Sequence, residues 1–183
     1  MLALICAGCA TAPPPDPKTQ LPALEARVFE LINERRTTLD PGAEPLNLDS
    51  ELVGLARQRS TDMAAKNTYE STPGDPHISA TRLMAEDAAF QGLLGENVAA
   101  QRYDRTKGID VERSATALVD TWMKSQRHRE NLGYADYVRT GVGAAATSDT
   151  IFVTQLFATP FAVLKQKRTI PPPALRGPVS TTP

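Results

Sequence analysis

The stretch TIFVTQLFA, residues 150 to 158, constrains the fold most tightly. Read as a strand, it places Ile151, Val153, Gln155 and Phe157 on one face and Phe152, Thr154 and Leu156 on the other. Both faces are largely apolar, so helices must cover the strand on both sides. VRTGVGAAA, residues 138 to 146, reads as a second strand, joined to the first by a turn around Thr147 to Thr150.

Helical patterns supply the covers. Leu24, Val28, Leu31 and Ile32 recur at helical spacing from Ala23 to Thr38, and DPGAEP at 40 to 45 ends the pattern. PLNLDS is a short extended piece leading to Asp49 or Ser50 as N-cap, after which Leu52, Leu55, Ala56 and Met63 draw a second stripe through about Lys66. NTYESTPGDPHIS, 67 to 79, reads as a loop, with Ser79 able to cap a helix over roughly 80 to 90. GLLGENVAA at 92 to 100 is a glycine-bounded apolar piece interrupted by Glu96 and Asn97. From Asp110 to Gln126, Val111, Ala115, Leu118 and Trp122 mark the clearest helix. Helices around a small, mainly antiparallel sheet predict a three-layer α/β/α sandwich.

A chain of 183 residues with 41% hydrophobic content fits one core, placed at 23–163. Twenty basic residues against 21 acidic ones leave no electrostatic footprint for nucleic acid. Both cysteines, Cys6 and Cys9, precede the domain, which therefore holds neither a disulfide nor a thiolate metal site.

MLALICAGCATAPPPD resembles the end of a bacterial lipoprotein signal, with residues 1–8 as its remnant and Cys9 as the acylated first residue of the mature protein. Each acyl chain contributes ~0.8 kcal/mol per buried CH2, so a firm membrane anchor needs several chains. ATA at 10 to 12 offers the alternative of cleavage to a secreted or periplasmic soluble protein. Residues 9–22, with Pro13, Pro14, Pro15, Pro17 and Pro22, suit an extended tether, and 164–183 reads as a disordered proline-rich tail.

Polar residues in apolar settings are the site candidates. Glu96 must be paired, hydrogen-bonded or protonated where it stands, either as a structural carboxylate in a tight turn or as a pocket residue. Gln155 interrupts a core strand; neighbouring backbone can satisfy its amide. His128 follows a helix end, where imidazole can cap carbonyls, yet Ser125, Arg129 and Asn131 surround it in WMKSQRHRENLGY. Ser125 and His128 are one turn apart, but no G-x-S-x-G elbow accompanies them, and HExxH, Walker and dinucleotide motifs are missing from the sequence.

LINERR, PLNLDSELVGLARQRSTDMA, GENVA, WMKSQRHRENL, GVG and FVTQLF, in that order over about 25 to 158, resemble the CAP superfamily of cysteine-rich secretory, antigen 5 and pathogenesis-related proteins, in its cysteine-poor bacterial branch. The resemblance implies an α/β/α sandwich whose central cleft is lined, in many members, by two histidines and two acidic residues. Glu96 matches the acid of the G-E-N motif and His128 one histidine, with Arg129 and Asn131 fixing its loop. The second acidic position is Ser125 here. Counting back from Arg82, the other histidine position falls on Ser71; either His77 reaches the cleft from a rebuilt loop, or a serine has replaced that histidine. A zinc site would draw on His128, His77 and Glu96, since zinc held by protein wants three or four ligands.

The expected function is a non-enzymatic, extracytoplasmic binding module of the cell envelope. Its ligand would be a lipid, a cell-wall polymer or a protein. The alternative is a hydrolase, metal-assisted or not, with Glu96 as general base and His128 polarising the substrate. A third reading is a structural protein whose polar cleft is a remnant.

Overall fold

The computed structural model describes residues 15–68 and 90–169. Helix α1 spans Pro17–Leu39, strand β1 Asn47–Leu48, helix α2 Ser50–Lys66 and strand β2 Gly92–Arg102. Helix α3 (Val111–Lys124), helix α4 (Gln126–Gly133), strands β3 (Arg139–Ala146) and β4 (Thr150–Pro160) and helix α5 (Phe161–Thr169) follow. The expected Ser79-capped helix and the loop before it lie outside the described residues, as do Cys9 and the signal-like start.

The sheet runs β1-β3-β4-β2, with β4 antiparallel to both neighbours and β1 parallel to β3. β4 is buried from Ile151 to Thr159, as its two apolar faces demand. Ile151, Val153 and Phe157 join the larger core with Leu24, Val28 and Ile32 of α1 and Leu118 and Trp122 of α3. Leu156 and Ala158 face the other way, onto Leu52, Leu55 and Ala56 of α2. The result is the three-layer α/β/α arrangement, with α1, α3 and α4 on one side and α2 on the other.

Local chemistry sets the element ends. The Asp49 carboxylate accepts from Glu51 N and Leu52 N at the start of α2, and Asn67 closes that helix in the left-handed region at φ 50°. α1 begins ahead of the Ala23 that the periodicity marks, because Asp16 caps it and Pro17 stands at its first position. Pro17 to Pro22, read as part of an extended tether, are therefore helical. At the other end, α5 runs beyond 164 to Thr169, with Leu164 buried, so the first residues of the stretch read as a disordered tail are helical too. β3 and β4 form the expected hairpin, closed by Thr147 N donating to Thr150 O at 2.9 Å.

Two contacts bring the layers close. Arg36 on α1 is fully buried, and its guanidinium donates to the carbonyls of Glu44 (2.7 Å), Leu132, Tyr134 and Tyr137 (each 2.8 Å). Gly141 and Gly143 of β3 lie against the backbone of α2, where a Cβ would run into Leu52 and Val53 or into Ala56 and Arg57. The GVG segment thus lets a helix rest directly on the sheet.

Gly143→Ala is expected to destabilise the protein by about 1–3 kcal/mol in urea unfolding, because α2 must move away from β3. Gly54→Ala, on the same helix with open space around its Cα, should instead stabilise by about 0.5–1 kcal/mol.

Candidate functional site

β2 is an edge of the sheet among the described residues. Its alternation sends the neighbouring residues of the GEN motif to opposite layers. Glu96 pairs across with Leu156 and faces α2, whereas Asn97 pairs with Gln155 and faces the α3–α4 side.

Asn97 is completely buried and fully engaged. Its Nδ2 donates to His128 O at 3.1 Å, and its Oδ1 accepts from Asn131 Nδ2 at 2.9 Å. Asn131 Nδ2 also reaches Glu96 O at 3.2 Å, and the indole of Trp122 donates to Val98 O at 3.1 Å. The outward carbonyls of an edge strand are thereby satisfied by side chains rather than left as a pairing template. Gly95 contributes by lacking a side chain, since a Cβ there would strike the Tyr137 hydroxyl. The Tyr137 ring stacks on Phe157 with centroids 5.0 Å apart, and burial, aided by Tyr134, pushes its phenol pKa up.

The polar cluster that the sequence places after a helix end is itself helical. Ser125, in extended conformation, ends α3 and starts α4, and its side chain makes no capping hydrogen bond. His128 therefore sits in the first turn of α4 rather than as a cap on α3, and Arg129 takes the capping task by donating to Met123 O at 2.9 Å. His128 is half-buried, with Nδ1 enclosed and without a hydrogen-bond partner among the described residues. Burial, then the positive charge of Arg127, lowers its pKa below the ordinary imidazole value. Among the described residues no hydrogen bond joins Ser125 to His128, so the nucleophile-and-base pairing that their spacing suggested does not form.

Glu96 lies 3.6 Å from Arg59 Nε, and the Arg59 side chain is almost wholly buried under it. Sequence reading missed this partner, although the signal was present: Arg59 stands in the apolar stripe of α2 with Leu52, Leu55, Ala56 and Met63. Glu25 was missed as well. It is buried on α1, forms an ion pair with Arg57 at 2.5 Å and accepts from Ala144 N at 2.9 Å.

Gln155 is fully buried and donates to Thr140 Oγ1 at 3.3 Å, a hydroxyl rather than the backbone, while its Oε1 has no partner among the described residues. Ser71 and His77 lie outside the described residues. Among the described residues no group of three His, Cys, Asp or Glu side chains is placed to hold a metal ion, and Glu96 is already committed to Arg59. The described residues alone do not make a zinc site.

Because the folded His128 pKa lies below the unfolded value of about 6.5, the unfolded chain takes up the proton first as pH falls. The stability this residue contributes is present above about pH 6.5 and is lost as pH falls from there through the lower folded value. His128→Gln should flatten the fall in melting temperature between about pH 7 and 5 relative to wild type. Asn131→Ala, which leaves Asn97 Oδ1 and Glu96 O without this donor, should cost about 1–3 kcal/mol and speed amide exchange along β2.

The family model for the cysteine-rich secretory protein family, CAP, matches residues 29–157. YkwD, an uncharacterized protein of Bacillus subtilis, is 32% identical over 124 residues, covering 66% of this chain and 42% of that protein, so the chain spans less than half the relative's length. An extracellular SCP-domain protein from Bacillus anthracis superposes with a TM-score of 0.60 at 26% identity, over 80% of this chain and 44% of that one. An outer surface protein of Borrelia burgdorferi does so at 0.61 and 21% identity, over 82% and 99% of the two chains. NaASP2, whose structure contains Zn2+, shares the fold at a TM-score of 0.51 and 14% identity, over 82% and 83%. With the family model matched over most of its length and the same layered sandwich behind the match, this chain belongs to the cysteine-rich secretory protein (CAP) family.

Proposed function

We propose that the chain works outside the cytoplasm as a non-enzymatic binding module of the cell envelope, with Glu96 and His128, which approach the β2 edge from opposite layers, as the residues that meet its ligand. The extracellular SCP-domain protein of Bacillus anthracis, at 26% identity, supports the location. No helix among the described residues is long and apolar enough to cross a membrane; the lipoprotein-like start supports attachment through acylation at Cys9.

One observation carries the preference for binding over catalysis. The Glu96 carboxylate stands 3.6 Å from the buried Arg59 guanidinium, whose charge fixes its position. It is well suited to hold a polar ligand, because its side chain retains 19% exposure. The hydrolase reading draws on a different observation: the lowered pKa of His128 keeps its imidazole neutral near pH 7, ready to take a proton.

The test is cosedimentation of the full chain with purified cell-wall sacculi and with phospholipid vesicles, alongside crosslinking to envelope proteins. One of the three is expected to retain it, with affinity reduced about tenfold in Glu96→Gln and His128→Ala. Equal retention of both variants, or no retention by any fraction, would overturn the reading. Release of soluble products that stops in Glu96→Gln would establish the hydrolase instead.

A further inference from the structure

We propose that the Tyr137 hydroxyl is a further ligand contact at the GEN motif, donating to an uncharged carbonyl oxygen of the kind an amide carries. On the reading of Glu96 and His128 as ligand residues, Tyr137 adds a proton donor to them and defines one group that the ligand must present. The fold itself makes no use of this hydroxyl. Among the described residues it neither donates nor accepts a hydrogen bond, although Tyr137 as a whole is only 7% exposed. Nor is it one of the enclosed atoms without a partner, such as His128 Nδ1 and Gln155 Oε1, so it keeps access to solvent. A buried tyrosine ordinarily finds a partner for its O–H, and phenylalanine would fill the same space without that demand. The hydroxyl thus adds nothing to the packing and stays available to an outside acceptor.

A glycine makes room for it. A Cβ on Gly95 would collide with Oη and Cζ of Tyr137, so the phenol tip occupies the place of a side chain on the residue directly before Glu96. That residue belongs to β2, an edge of the sheet among the described residues. The ring is held from several sides. It stacks on Phe157 with centroids 5.0 Å apart and planes 23° apart, and meets Tyr134 edge-on at 5.1 Å. Its backbone is fixed as well: Tyr137 N donates to Tyr134 O at 3.1 Å, and Tyr137 O accepts from Arg36 at 2.8 Å. A donor held in this way loses little conformational freedom on binding.

The chemistry selects the acceptor. Burial, aided by Tyr134, pushes the phenol pKa up, so the group keeps its proton and acts as a donor across the physiological range. The guanidiniums that approach this corner are already engaged, Arg36 with four carbonyls and Arg59 with Glu96. A ligand carboxylate would gain no ion pair from them, and leaving water without one is costly for a charge. A neutral carbonyl matches a lone hydroxyl donor at a smaller desolvation cost. Glu96 offers the opposite polarity from the other face of the strand, with its side chain partly exposed. A ligand reaching this edge therefore meets a donor from one layer and an acceptor from the other.

The test is titration of the isotopically labelled full chain with N-methylacetamide, followed by NMR at the Tyr137 Cζ carbon and the Gly95 amide. Saturable shifts with a midpoint of about 100 mM or below are expected. The Gly95 response should be lost in Tyr137→Phe, and acetate should produce far smaller shifts in wild type. Tyr137→Phe should melt at or above the wild-type temperature, because only the unpartnered hydroxyl is removed. A lower melting temperature, an equal Gly95 response in the variant, an equal response to acetate, or no shift at Tyr137 would overturn the assignment. The amide probe needs no envelope fraction. Failure of sacculi, vesicles and envelope proteins to retain the chain would therefore remove the binding-module reading without deciding this titration, and a failed titration would remove the Tyr137 contact while leaving retention to be judged separately.

Discussion

A single buried guanidinium organises one end of this molecule. Arg36 carries its charge into the core without an ion pair among the described residues, and burial depresses its pKa more than nearby Asp40 raises it. Four carbonyls make the arrangement tolerable, two of them at or just beyond the C-terminal end of α4, where the helix dipole favours a cation. The remaining two belong to Glu44, on the approach to β1, and Tyr137, on the approach to β3. One side chain therefore fixes where α4 stops and where two strands begin.

The position of α4 then determines what happens at the edge of the sheet. Held by Arg36 at its far end and by Arg129 against α3 at its near end, the short helix presents Asn131 to β2 and receives Asn97 in return. Trp122 adds a third side chain to the same edge. His128 is thus placed by backbone contacts, its carbonyl being the anchored atom, and its imidazole is left without a hydrogen bond at Nδ1 among the described residues. Glu96 is fixed from the opposite layer by Arg59.

Much of the layered fold was legible in the sequence because β4 is apolar on both faces and three helices carry clear stripes. The start of α1 was not, since proline at a first helical position looks like a tether until its Asp16 cap is seen. α4 was hidden for another reason: of its eight residues only Leu132 is buried, so there is no periodic stripe to detect. At the candidate site, Glu96, Asn97 and Gln155 stood out as polar residues in apolar company, and His128 through the polar cluster around it. Arg59 and Arg36 satisfy the same criterion within helical stripes. They escaped because arginine on a helix reads as solvated surface unless its position on the wheel is checked.

The split orientation of Glu96 and Asn97 has a consequence for how this segment can vary. Eleven β2 residues are matched one to one with β4, without a bulge. Inserting or deleting one residue ahead of the motif would exchange the two faces, driving the carboxylate toward Trp122 and turning the asparagine toward Arg59. Contact with Arg59 and docking of α4 are therefore encoded in alternate letters of one short word. Length change within this strand is as damaging as loss of either residue, and diversification is confined to substitutions that keep the reading frame of the pleat.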